Sequence, residues 1–269
     1  MFHHIMFMIH FENSILMIFI NFASVNNLTF HCAFGTLITN FIIMRIKLFV
    51  MMAGCMACLC GNAQKQAPGL DVYFAQPSGQ TMSPDDEGFV HRWLLLEPIS
   101  KPNRSNTVFT DTYLRAAFDT VYFKGQFTDV PKAGQKVKVG EETLEWHGLD
   151  SKLYNVKLFR FATGLEKQMY GVLFWAVTVI NCSEEIKDVR LAVGSNSASM
   201  WWLNGEKTLL LSGDRRMVRD DAVSQRVTLK KGKNILRGAV INGPGMSDFC
   251  VRFIDEKGQP VKNYTVSFK

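Results

Sequence analysis

Gly171-Val172-Leu173-Phe174-Trp175-Ala176-Val177-Thr178-Val179-Ile180 decides how this chain folds. The run is almost wholly apolar, rich in Val, Ile and aromatics, lacks helix caps and stops at Asn181. Such a segment predicts a central β-strand buried on both faces, because only a strand covered from two sides tolerates apolar residues at successive positions. Downstream, residues 189–193, 198–203, 207–211, 225–229, 234–241, 249–254 and 264–268 repeat the pattern of short extended segments. Asn204-Gly205 and Lys231-Gly232 punctuate them as hairpin turns, and Gly243-Pro244-Gly245 as a wider one.

Upstream, residues 70–75 and 89–97 read as strands, the second closed by Pro98, and 100–106 as a polar loop. Residues 110–118 predict one short helix, with Asp111 as cap and Tyr113, Leu114, Ala117 and Phe118 as an apolar stripe. Residues 135–139 and 143–147 predict a hairpin around Gly140-Glu141, and 153–161 an alternating strand. The expected fold is therefore all-β: a two-sheet antiparallel sandwich with at most one or two short helices, formed by a single domain over 64–269.

Of the 269 residues, the first 63 have a different character. Residues 1–43 carry one charged side chain, Glu12, and read as an upstream extension with no folding domain. Met44-Arg45-Ile46-Lys47, the apolar 48–59 and the small Gly61-Asn62-Ala63 have the grammar of a secretory signal cleaved after Ala63. This predicts a secreted or periplasmic protein, with the outer surface also open to it and no membrane span after cleavage. A membrane anchor and a lipid attachment at Cys55 are the alternatives; asparagines interrupt the first apolar stretch below the ~20 residues a span needs.

Four of six cysteines precede Ala63, including Cys55-x-x-Cys58 inside the apolar signal core, leaving Cys182 and Cys250. An oxidising compartment would permit them to pair, and two buried strand thiols are the competing reading. Beyond residue 63 there are 28 Lys+Arg against 23 Asp+Glu, spread along the chain. That distribution predicts no nucleic-acid partner.

A resemblance is carried by Leu191-Ala192-Val193-Gly194-Ser195, Trp201-Trp202-Leu203-Asn204-Gly205-Glu206-Lys207, and Val227-Thr228-Leu229-Lys230-Lys231-Gly232-Lys233-Asn234 running on to Asn242. With Trp146, Asp150 and Tyr154-Asn155-Val156 upstream, these resemble galactose-binding-like, jelly-roll sugar-binding modules of secreted bacterial carbohydrate-active proteins. The chain is similar to Bacteroidetes proteins attached to, or labelled as, acetyl-xylan esterases. What this implies is a carbohydrate-binding or accessory module of plant polysaccharide breakdown, with a polysaccharide or oligosaccharide ligand and a catalytic partner protein. An esterase fragment and a structural protein-interaction module are the alternatives. Modules of this type often carry acids after the Gly-Ser, where this chain has Asn196-Ser197-Ala198-Ser199.

The catalytic inventory is thin, and no catalytic residue is assigned. Only His91 and His147 follow residue 63, and no Gly-x-Ser-x-Gly elbow exists; Gly245-Met246-Ser247-Asp248-Phe249 comes nearest. Scattered acids do not define a glycosidase pair. No cofactor is expected; if a structural Ca2+ were held by loop oxygens, Asp85-Asp86-Glu87 or Asp220-Asp221 would contribute.

Sugars offer apolar C–H faces to aromatic rings and hydroxyls to planar polar groups. Strand alternation separates Trp201 from Trp202, and the family pattern implies the inward slot for Trp201. Trp202 is thus the candidate stacking residue, joined by His147, Asn196 and the loop of Asp214, Arg215, Arg216 and Arg219. Arg215-Arg216, with Asp214 and Arg219, suit a sugar acid, and a solvated turn is the competing reading.

Overall fold

The structure, a computed structural model, describes residues 5–11, 14–20 and 69–269. Within 1–43, Ile5–Phe11 pairs antiparallel with Ser14–Ile20; a lone two-stranded hairpin is marginal on its own. The signal-peptide reading of 44–63 lies outside the described residues. Residues 66–269 form a separate unit.

Nine strands longer than four residues build most of that unit: β1 Arg92–Leu96, β2 Glu142–Ser151, β3 Val172–Cys182, β4 Ile186–Ser195, β5 Ala198–Leu203, β6 Glu206–Leu211, β7 Ala222–Leu229, β8 Gly232–Asn242 and β9 Asp248–Ile254. They make two antiparallel sheets with no closed barrel. The larger runs β6-β5-β8-β3-β1-β2, edged by short strands, and the smaller runs β7-β4-β9 with Val156–Lys157. The run that opened the sequence reading is the spine: β3 pairs with β8 from Val172↔Asn242 to Cys182↔Gly232. Its other edge takes Ile99–Ser100, β1 and Thr265–Ser267 in turn. Asn204 and Gly205 both have positive φ, as the expected Asn-Gly hairpin turn between β5 and β6 requires.

Why β3 is apolar throughout is now explicit. Phe174, Ala176 and Ile180 face the smaller sheet in one core; Leu173, Trp175 and Val177 face the opposite way into a second. The first core centres on Trp201, whose ring meets Trp93 at 6.0 Å and Phe249 at 5.1 Å. Gly238 on the neighbouring β8 makes room for it, since a Cβ there would collide with the indole.

The second core is covered by residues 109–130, including the helix α1, Asp111–Asp119, with Leu114, Ala117 and Phe118 buried. The sandwich thus carries a third, partly helical layer. The α1 cap is Thr110, whose hydroxyl accepts from Tyr113 N at 3.4 Å; Asp111 is the first helical residue, one position past the expected cap. A second departure lies at 153–161, where only Val156–Lys157 is strand and α2, Leu158–Gly164, follows. Leu158, Phe161 and Ala162 are the residues α2 buries, spaced three and four apart, so helical period wins over the short alternation.

Across β1 and β2, Arg92 and Asp150 form a buried bidentate pair, with Nε and Nη2 donating to the two carboxylate oxygens at 2.8 Å each. Cys182 and Cys250 are free and buried, at the end of β3 and within β9. Burial pushes both thiols up, Cys250 from 9.0 to about 11, and pushes the buried Tyr264 hydroxyl up as well. Between those values the unfolded chain releases a proton that the native protein keeps. Stability present below about pH 9 is therefore lost as pH rises toward 11, by on the order of 2–3 kcal/mol for Cys250. Urea unfolding across that interval should show the loss, and Cys250→Ala should flatten it; an unchanged slope would contradict the assignment.

Candidate functional site

The loops at one end of the sandwich converge on Asn242, the last residue of β8, which is fully buried. Its amide donates to the carbonyls of Met169 at 2.8 Å and Gly245 at 3.1 Å. Its side-chain oxygen accepts from Ser197 Oγ at 3.0 Å, and its carbonyl accepts from Asn103 Nδ2 at 3.1 Å. One residue thereby ties together the 101–106, 165–171, 195–198 and 243–247 segments. Asn106 adds the 212–221 loop, donating to Asp214 Oδ1 at 2.7 Å and to the Pro244 carbonyl at 3.2 Å. Buried polar groups satisfied from several loops fix the loops' mutual positions.

On this frame stands a strip of aromatic and cationic side chains. Tyr170, just before β3, is 48% exposed, and its ring lies 5.7 Å from that of Phe159 on α2. Arg160 follows, its guanidinium 5.6 Å from the Phe159 ring and 5.4 Å from that of Tyr73. Phe159 N donates to the Ser247 carbonyl at 3.2 Å, which ties the strip to the 243–247 loop and its exposed Met246. Beside it, Lys157 Nζ pairs with the buried Asp248 at 2.7 Å. Burial raises the Asp248 carboxyl above its usual range, although Lys157 and Arg160 pull it down.

The expected site residues separate into two groups. Asn196 and the Asp214–Arg219 loop do sit at this end, but most of their polar groups are engaged internally. Asn196 Oδ1 accepts from Asp248 N at 2.5 Å, Asp214 holds Asn106, and Arg215 pairs with Asp221 and donates to the Ser212 carbonyl. Arg219 pairs with Glu87 and lies 4.2 Å over the Tyr154 ring. Arg216 is exposed and has no ion-pair partner among the described residues.

Trp202 and His147 are elsewhere. Trp202 is 3% exposed, stacked on Trp175 at 5.4 Å and 22° and packed against Phe127 in the second core. It does point away from Trp201 as alternation requires, but into the covering layer instead of water. His147 lies on β2 against Phe161 at 5.5 Å, with Nε2 3.6 Å from Glu97. Neither reaches the loop end.

Four of the five acids considered for calcium are engaged within the protein: Asp85 hydrogen-bonds His91 at 2.9 Å, and Glu87, Asp220 and Asp221 pair with Arg219, Arg252 and Arg215. Among the described residues, no group of three His, Cys, Asp or Glu side chains is placed to hold a metal ion. Neither His91 nor His147 has a serine hydroxyl partner among the described residues: His91 meets Asp85 and the Ser151 carbonyl, and Ser247 is fully buried. No described helix is long and apolar enough to cross a membrane.

No protein-family model and no curated protein matches this chain. Among solved structures, a PA14 sugar-binding domain from an RTX adhesin aligns at TM-score 0.37 and 8% identity, over 66% of this chain and 99% of that one. The PA14 domain of the MpAFP antifreeze protein aligns at 0.34 and 12%, over 72% and 96%. A β-glucosidase from Kluyveromyces marxianus in complex with glucose aligns at 0.30 and 16%, over 60% of this chain and 15% of the enzyme. At such identities and scores, no ligand or role passes from these proteins to this chain.

Tyr170 and Arg160 were not singled out by the sequence reading. The available signal was positional: Tyr170 is an aromatic immediately before Gly171, at the mouth of the central strand, where a side chain meets the loops and not the core.

Proposed function

We propose that this protein is a secreted carbohydrate-binding module that takes a saccharide on its loop-bearing end, against Tyr170 and Phe159. The carrying observation is the distribution of aromatic side chains. All five tryptophans, 93, 146, 175, 201 and 202, are at most 3% exposed, so none can stack on a sugar. Among the described residues Tyr170 is the exposed aromatic, and it stands on a frame of loops locked by Asn242. A ring that projects from a rigid polar rim supplies the apolar face that pyranose C–H groups require, with polar groups at hand for hydroxyls. The secretory grammar of 44–63 and the resemblance to modules of plant polysaccharide breakdown support a reading in which the ligand is met outside the cell, beside a catalytic partner protein. Nothing among the described residues favours the esterase alternative, since Ser247 is enclosed and neither His91 nor His147 pairs with it.

Calorimetry with xylan, pectin and galactan fragments tests the proposal. Wild-type protein is expected to bind at least one of them, and Tyr170→Ala to weaken that binding by about 10-fold or more. Stability should stay within about 0.5 kcal/mol, because the ring is half in solvent. Wild-type silence toward all three, or unaltered binding by the variant, would contradict it.

A further inference from the structure

We propose, resting on the saccharide reading above, that the preferred ligand is an anionic sugar whose acid group is gripped by Arg160. Three observations point there. The first is that the Arg160 guanidinium has no hydrogen-bond acceptor among the described residues, whereas Arg92, Arg215, Arg219 and Arg252 each pair with an acid. The second is that it is nonetheless held in place, between the rings of Tyr73 at 5.4 Å and Phe159 at 5.6 Å. Stacking on two rings orients the planar fork and reduces the entropy lost when it binds.

The third concerns what remains at the rim to meet a ligand. Several acceptors there are spent on the protein itself, Asn196 Oδ1 on Asp248 N, Asp214 on Asn106 and the Asn242 side-chain oxygen on Ser197, while the unpartnered Asn103 Oδ1, Asn106 Oδ1 and Asp248 Oδ1 are buried away from a ligand. The Lys157 charge is answered by Asp248. A neutral sugar presents hydroxyls that both donate and accept. A carboxylate or sulfate ester only accepts, and an unpaired guanidinium is the matching group, joining a carboxylate through two parallel N–H bonds.

Geometry completes the match. Phe159 is shared, lying 5.7 Å from Tyr170 on one side and 5.6 Å from Arg160 on the other. The strip therefore sets an exposed aromatic face beside a fixed cation. A uronate presents the same pair of features, a C–H face and a carboxylate, on one ring. The cation is Arg160 of α2; of the Arg215 and Arg216 expected from the sequence, Arg215 is occupied by Asp221, and Arg216 is exposed without the two flanking rings that hold Arg160.

The test is calorimetry on the full-length protein with three probes: a galacturonan fragment, its methyl ester, and a sulfated galactan fragment. Wild-type protein is expected to bind the galacturonan at least about 10-fold more tightly than the ester, with affinity falling as salt rises. Arg160→Gln should erase the difference between acid and ester while binding the ester as wild type does. Arg160→Lys should keep part of the difference, losing the two-point fork. A preference for the sulfated fragment that also vanishes in Arg160→Gln supports the proposal and identifies the anion as a sulfate ester.

Equal binding of acid and ester, together with wild-type behaviour of Arg160→Gln, would overturn the proposal. The saccharide reading would then stand, provided Tyr170→Ala still abolished binding. Absence of binding to all three probes, with thermal unfolding confirming a folded protein, would remove the proposal; if xylan and neutral galactan also failed, the saccharide reading would go with it.

Discussion

Trp202→Ala is expected to destabilise the protein by about 3–5 kcal/mol and to do nothing to ligand contact beyond that. The indole fills the space between the large sheet and its covering layer, stacked on Trp175 and against Phe127, at 3% exposure. Truncation removes those contacts and leaves a void that Trp175, Met200 and Ala239 are too tightly held in the sheet to fill. For a unit of about two hundred residues the loss should lower the melting temperature by roughly 6–20 °C. Paired with Tyr170→Ala, the experiment makes a double dissociation. The buried ring should govern stability and the exposed one binding; a stable Trp202→Ala protein that has lost its ligand would reverse the assignment.

Asp150→Ala should be comparably damaging, again about 3–5 kcal/mol, for an electrostatic reason. Arg92 is 1% exposed and its guanidinium donates two hydrogen bonds to the Asp150 carboxylate. Its remaining partners are the Gly79 carbonyl at 3.2 Å and the Phe268 ring at 5.2 Å. Without the carboxylate a cation stays in the sheet with little to neutralise it. Water cannot easily replace the lost oxygens. Replacing both members by apolar residues, Arg92→Met with Asp150→Leu, should recover most of the loss, because the penalty comes from an uncompensated charge and not from the absence of a pair. Urea unfolding of the two single variants and the double variant measures this directly; equal destabilisation in all three would show that the pair matters for packing alone.

Much of the fold could be read from local chemistry. The 171–180 run announced a strand covered on both sides, and Asn204-Gly205 announced its hairpin, because each signal is complete within a few residues. The errors arose where an assignment depended on distant chain. Alternation correctly sent Trp201 and Trp202 to opposite faces. It could not say whether the second face meets solvent or another layer. That layer comes from Phe109, Phe118, Phe123 and Phe127, some eighty residues earlier in the chain.

The same holds for the site. Asn196 and Asp214 lie together in the loops at one end of the sandwich, yet their polar groups turn inward toward Asp248 and Asn106, partners that only the folded chain supplies. Arg160 was hidden by a misassigned period, since a segment read as an alternating strand gives no reason to set Phe159 and Arg160 beside Tyr73 and Tyr170. The helical turn of α2 does so.

The central claim is that ligand meets the loop-bearing end and leaves the sheets and their buried tryptophans untouched. Amide chemical-shift mapping during titration with a galacturonan fragment tests it most directly. The account predicts saturable shifts confined to residues 154–160, 169–171, 195–197 and 243–248, with the tryptophan indole signals still. Shifts centred on β2 around His147 or on the indole of Trp202, or none at all, would contradict it.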